Sequence, residues 1–109
     1  MKEIKAFLHR NRVSDVIHAL HQAGLCPTAC SLSLVDVKGT LEALDPRERD
    51  FSLEAGAEMI HEVKLEMLVE DDRLEEVMAL IRDNARTGQA VSGWLCVYDL
   101  AHAEPIGGA

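Results

Sequence analysis

Aromatic side chains are scarce in this chain of 109 residues: one tryptophan, one tyrosine and two phenylalanines. Positive charge is also short, with 11 Lys and Arg against 19 Asp and Glu, a formal net charge of -8. Nucleic-acid surfaces need a basic face and stacking rings, so a nucleic-acid partner is not expected. No apolar run approaches the roughly 18 residues that would cross a bilayer. The opening Met1-Lys2-Glu3-Ile4-Lys5 alternates charge instead of forming an apolar signal core, so no membrane insertion and a cytoplasmic location are expected. Three cysteines, Cys26, Cys30 and Cys96, are too few and too odd in number for a disulfide framework and fit a reducing compartment. A chain of this length makes one domain, residues 1–109, that buries roughly two thirds of its unfolded surface. Such a core leaves little room for a deep private cavity, so a large site forms most easily between subunits.

What the sequence does contain is periodicity. Ile4, Ala6 and Leu8 alternate with Lys5, Phe7 and His9, the period-2 pattern of a half-buried strand. Val13, Val16, Ile17, Leu20 and Ala23 follow at helical spacing, with Gly24 as a stop. Leu32 and Leu34, then Val35 and Val37, change parity, which predicts a bulge in a second strand ending near Lys38-Gly39. Val63, Leu65, Met67 and Val69 alternate again, and Asp71-Asp72, with Glu75 three residues after Asp72, reads as a helix cap. Leu74, Val77, Met78, Ile81 and Ala85 form a second helical stripe closed by Gly88. Trp94 to Tyr98 makes a last strand, and about 102–109 reads as a frayed tail.

The order is βαββαβ, which under right-handed crossovers gives an α+β, ferredoxin-like sandwich. Its four-stranded antiparallel sheet carries both helices on one face. The other face stays uncovered, with Phe7, Leu68 and Trp94 as apolar candidates that self-association would hide. The link Thr40 to His61 is long for a compact domain. It mixes many charges with Leu41, Leu44, Phe51 and Leu53, so it reads as a partner-binding loop, with Leu44, Arg47, Arg49 and Phe51 as its contact residues, or else as a solvated long hairpin. His61, at the base of that loop, reads as a pH-responsive hinge or a plain hydrogen-bonding group.

Five segments in order, Met1-Lys2-Glu3-Ile4-Lys5-Ala6, Val16 to Gly24, Val35-Asp36-Val37-Lys38-Gly39, Val63-Lys64-Leu65-Glu66 and Ala85-Arg86-Thr87-Gly88, resemble the P-II nitrogen regulatory family over nearly the whole chain. The resemblance implies a non-enzymatic, homotrimeric signalling protein with adenine-nucleotide sites (ADP, ATP or AMP) in the clefts between subunits. It also implies regulation of an enzyme or membrane transporter through the long loop. By position in the family, Ser33, Gly39, Thr40, Glu66, Leu68, Arg86, Thr87, Gly88, Ser92, Gly93 and Trp94 are the nucleotide-site residues. The pattern departs where the family holds 2-oxoglutarate: the glutamine after Gly39 is missing, and Glu62 stands where the family has a lysine. That ligand is therefore not expected. The family's phosphate loop reads here Thr87-Gly88-Gln89-Ala90-Val91-Ser92-Gly93-Trp94, keeping two of three glycines and neither lysine. Its C-terminal arginines are absent, so Arg82 and Arg86 are either substitutes or simply the cationic end of a helix. Trp94 reads as a base-stacking ring or as an interface anchor.

The rival reading is a metal-responsive or metal-buffering module. Cys26 and Cys30 frame Pro-Thr-Ala, and His18 and His21 lie three apart, donors that suit soft or borderline ions. No second cysteine pair completes a closed site. A third pattern, His9, Arg10 and Arg12 at a helix start, suits an anion but brings no nucleophile and base pair.

Overall fold

The structure, a computed structural model, describes residues 1–25 and 30–108. Strand β1 (Lys2–His9) leads through a 3-10 turn at Arg10–Arg12 into helix α1 (Val13–Gln22). Then come β2 (Ser33–Gly39), a short β3 (Asp50–Ser52) and a long β4 (Ala57–Val69). Helix α2 (Leu74–Asn84) and β5 (Gly93–Asp99) complete the chain. The strands run β2-β4-β1-β5, all neighbours antiparallel, and β3 pairs with the start of β4. This is the ferredoxin-like α+β sandwich that the element order predicts, with a small hairpin added. Among the described residues no helix is long and apolar enough to cross a membrane.

The core lies between one sheet face and the two helices. Ile4, Ala6 and Leu8 of β1 and Leu65, Met67 and Val69 of β4 meet Val16 and Leu20 of α1 and Val77 and Ile81 of α2. Each aliphatic side chain taken fully from water contributes roughly 1.5–3 kcal/mol, so the two central strands anchor the fold. On the opposite face the same strands present Lys5, Phe7, Lys64, Glu66 and Leu68, flanked by Val35 and Val37 of β2 and Trp94, Cys96 and Tyr98 of β5. Trp94, Tyr98 and Val35 are exposed there, while Phe7 and Leu68 are half-buried.

Several local expectations are corrected. The β2 ladder runs without interruption from Ser33 opposite Glu66 to Gly39 opposite Ile60, so no bulge is present. The parity change arises because β2 is apolar on both faces: Leu34 pairs with Leu65 on the helix side, and Val35 and Val37 pair with Lys64 and Glu62 on the other. The helix cap expected at Asp71-Asp72 does not form. Those residues belong to a 3-10 turn, Asp71–Arg73, and Arg73 precedes α2 without a side-chain cap bond. Asp71 instead accepts from the N-terminal amine of Met1 at 2.9 Å, and that cation holds its carboxyl below the usual range. The two arginines of the basic trio before α1 are engaged within the fold. Arg12 donates through Nε and Nη2 to the carbonyl of Asn84 at 3.0 and 2.8 Å, satisfying the exposed C-terminal end of α2, and Arg10 pairs with Asp36 at 2.6 Å.

Candidate functional site

The long link that follows β2, residues 40–61, is largely folded into a hairpin. A 3-10 turn occupies Pro46–Glu48, β3 pairs Asp50 to Ser52 with Met59 to Ala57, and β4 begins at Ala57, six residues before the alternation at Val63 suggests. The turn is capped from both sides. Asp45 Oδ1 accepts from the Arg47 N–H at 2.9 Å, while Glu48 Oε1 accepts from the Leu44 and Asp45 N–H groups at 2.6 and 2.8 Å. That reciprocal pairing is a capping box with proline in its first position.

The Arg47 guanidinium, then its backbone N–H, holds the Asp45 carboxyl below the ordinary carboxylate range. The Asp45 half of the cap is therefore fully present above about pH 4 and is lost as pH falls through the lowered value. The β3–β4 connection closes at Gly56, whose φ of 65° is left-handed and favours glycine; its N–H donates to the Ser52 carbonyl at 2.8 Å. Exposed pairs between Lys38 and Glu54 and between His61 and Asp50 bridge the hairpin and add little by themselves. What the hairpin displays is apolar: Phe51 is 64% and Leu53 90% exposed, with Leu44 also exposed.

At the hairpin's base the uncovered sheet face opens a cavity of about 480 Å³ lined by Phe7, Val37, Gly39, Thr40, Glu62 and Trp94. A second cavity of about 440 Å³ lies round the edge of β5, between Trp94, Arg82, Arg86 and the loop Gln89 to Ser92. Trp94, 63% exposed, borders both. In that loop the Thr87 N–H donates to Ser92 Oγ at 3.0 Å, and the Thr87 hydroxyl reaches Gln89 Oε1 at 2.8 Å. Gln89 Nε2 in turn donates to the carbonyl of Glu42 at 2.9 Å, which ties this loop to the hairpin base.

The structure thus gathers part of the expected nucleotide set. Gly39, Thr40 and Trp94 meet at one end of the open face, and Arg86, Thr87, Gly88, Ser92 and Gly93 adjoin them. Ser33, Glu66 and Leu68 do not. Ser33 pairs with Glu66, and Leu68 exchanges both backbone hydrogen bonds with Ser31 Oγ, at 2.8 and 3.4 Å. From Glu62 to Glu66 alone is about 13 Å along β4, so within the chain these three stand apart from the first cluster. Glu66 stays ionised because Lys64, at 3.0 Å, holds its carboxyl below the usual range. Of the metal alternative, Cys26 lies outside the described residues, and among the described ones no three His, Cys, Asp or Glu side chains gather as metal ligands would.

Two groups escaped the sequence reading. Glu62 is not a solvated acid: it is 3% exposed, its carboxylate lies over the Cα of Gly39, and it accepts from the Leu41 N–H at 2.8 Å. The bare hydrogen at Gly39, which lies across the sheet from Ile60, two residues before Glu62, was the available signal. Gln89 was counted only as a lost lysine.

Comparison with known proteins agrees with this geometry. The family model described as "Nitrogen regulatory protein P-II" matches residues 1–106. The chain belongs to the P-II family. Nitrogen regulatory protein P-II 1 of Methanothermobacter thermautotrophicus is 30% identical over 100 residues, covering 92% of this chain and 84% of the relative. Nitrogen regulatory protein P-II of Rhodospirillum rubrum is 27% identical over 103 residues, 94% and 88% of the two chains. The protein of that name from Porphyra purpurea is 26% identical over 100 residues, 92% and 86%. Within this P-II chain the hairpin of residues 40–61 carries exposed Leu44, Phe51 and Leu53 beside the cavity at its base.

Proposed function

We propose that this P-II protein is a homotrimeric regulator, in nitrogen or related metabolism, that controls an enzyme or a membrane transporter by docking its hairpin. The observation that carries the reading is the hairpin itself: a capped and laddered element that holds Phe51 and Leu53 in solvent, where a monomer gains nothing from them. Leu44, Arg47 and Arg49 flank that apolar tip and supply the polar rim of a contact. Deleting Arg47 to Leu53 is expected to abolish co-purification of the partner from native cells while leaving oligomer mass and melting temperature close to wild type. A partner still captured at wild-type yield by the deleted protein contradicts the docking role.

The effector that fits the cleft best is an adenine nucleotide with a short phosphate chain. Trp94 offers a wall for a base, and Arg82 and Arg86 are the cationic flank beside the Thr87 to Ser92 loop. The buried Glu62 carboxylate at the other end opposes a polyphosphate reaching Gly39, and with the missing glutamine it argues against 2-oxoglutarate. Because Trp94 is the chain's single tryptophan, its fluorescence reports the site directly. AMP or ADP should quench it saturably and ATP more weakly, and equal insensitivity to all three would remove the nucleotide from the reading.

A further inference from the structure

We infer that the turn Gly39–Leu41 is an anion cradle whose occupant is built into the chain: the side chain of Glu62. Three observations meet there. The Glu62 carboxylate is buried and accepts the Leu41 N–H at 2.8 Å. It rests on the Cα of Gly39 so closely that a Cβ at that position would fall on the carboxylate atoms. Directly opposite Glu62 in the β1–β4 ladder stands His9, 1% exposed, both ring nitrogens without a hydrogen-bonding partner among the described residues.

A buried carboxylate is costly unless hydrogen-bond donors surround it. Here the turn supplies a backbone donor and a side-chain-free floor, while the imidazole, a cross-strand neighbour at about 5 Å between Cβ atoms, makes no bond to the carboxylate. The remaining groups paired with Glu62 and Gly39 across the sheet, Val37 and Ile60, are apolar. The turn therefore holds one carboxylate, and it is the chain's own. The consequence concerns the hairpin, which leaves the sheet at this turn: Glu62 closes its base without any external ligand, while Gln89 holds the next residue, Glu42.

The latch is a property of the isolated protein and does not depend on the docking reading. Hydrogen exchange on the full chain tests it. Glu62→Ala should speed exchange of the Leu41 amide by about tenfold or more, the worth of a charged hydrogen bond, while amides of β1 and α2 keep their protection. Formate or acetate should then restore protection saturably, and chloride at equal ionic strength should not. Gly39→Ala, which expels the carboxylate, should release Leu41 to the same extent in the parent chain and add nothing in the Glu62→Ala background. Unchanged Leu41 exchange in Gly39→Ala overturns the inference, as does equal action of acetate and chloride on Glu62→Ala, or additive effects of the two substitutions. Should Glu62→Ala not fold, Gly39→Ala alone still decides.

Discussion

Leu65→Ala is expected to lower the free energy of unfolding by about 3 kcal/mol or more. Leu65 sits midway along β4, fully buried, with Ala6 of β1 on one side and Leu34 of β2 on the other. Beneath it lie the helices, close-packed against the sheet, so neighbours cannot collapse into the space a leucine leaves. For a domain of this size such a loss corresponds to a fall in melting temperature of about 12 °C or more. Leu34→Ala is the control: its side chain sits on the edge strand and is largely exposed, so the isolated chain should lose less than about 1 kcal/mol. Equal melting temperatures for the two variants would mean that the core is not where the alternation of β4 places it.

That contrast also marks what was legible in the sequence. Strands with one buried face write their period plainly, and β1, the second half of β4 and β5 are where Ile4-Ala6-Leu8, Val63-Leu65-Met67-Val69 and Leu95-Val97 put them. The amphipathic stripes of α1 and α2 were equally clear. β2 misled because Leu34 and Val35 are both apolar for different reasons, one meeting the helix layer and the other the uncovered face; alternation cannot tell a bulge from a strand with two apolar sides. The strands of the hairpin could not be placed from sequence because β3 has three residues and the first residues of β4 are mostly exposed, so neither has an apolar period to read. Its turn was nonetheless written in Asp45-Pro46-Arg47-Glu48, an acid followed by proline and then by Glu three positions on, the signature of a capped start.

The site was legible only in part, and charge explains the gap. Sequence places acids in solvent by default, so Glu62 read as a family lysine replaced by its opposite, a lost contact. Its burial follows from a tertiary accident that no local pattern announces: a glycine across the sheet leaves room, and a backbone N–H two residues later points into it. Likewise Ser33, Glu66 and Leu68 share an expected site with Gly39 and Trp94 yet stand at the far end of the same face, and the proposed trimer is what would bring the two groups together.

Phe7→Asp therefore has the second large expected effect, the loss of the proposed trimer. Phe7 lies near the middle of the uncovered face, between Lys64 of β4 and Trp94 of β5, and it points away from the core, so a single folded chain tolerates its removal. In an assembly that covers this face, a carboxylate at the same point must be buried against apolar groups, at a cost of several kcal/mol at each interface. The nearest cation cannot readily answer it, since Lys64 is already paired with Glu66 at 3.0 Å. Light scattering should give a mass one third that of wild type, with the circular dichroism of a folded protein, and Phe7→Leu should keep the full mass. A Phe7→Asp protein that retains the wild-type mass would move the interface to another face, and a wild type that is already monomeric would leave Trp94, Tyr98 and Val35 in solvent and take away the cleft in which the far-end residues could join the rest.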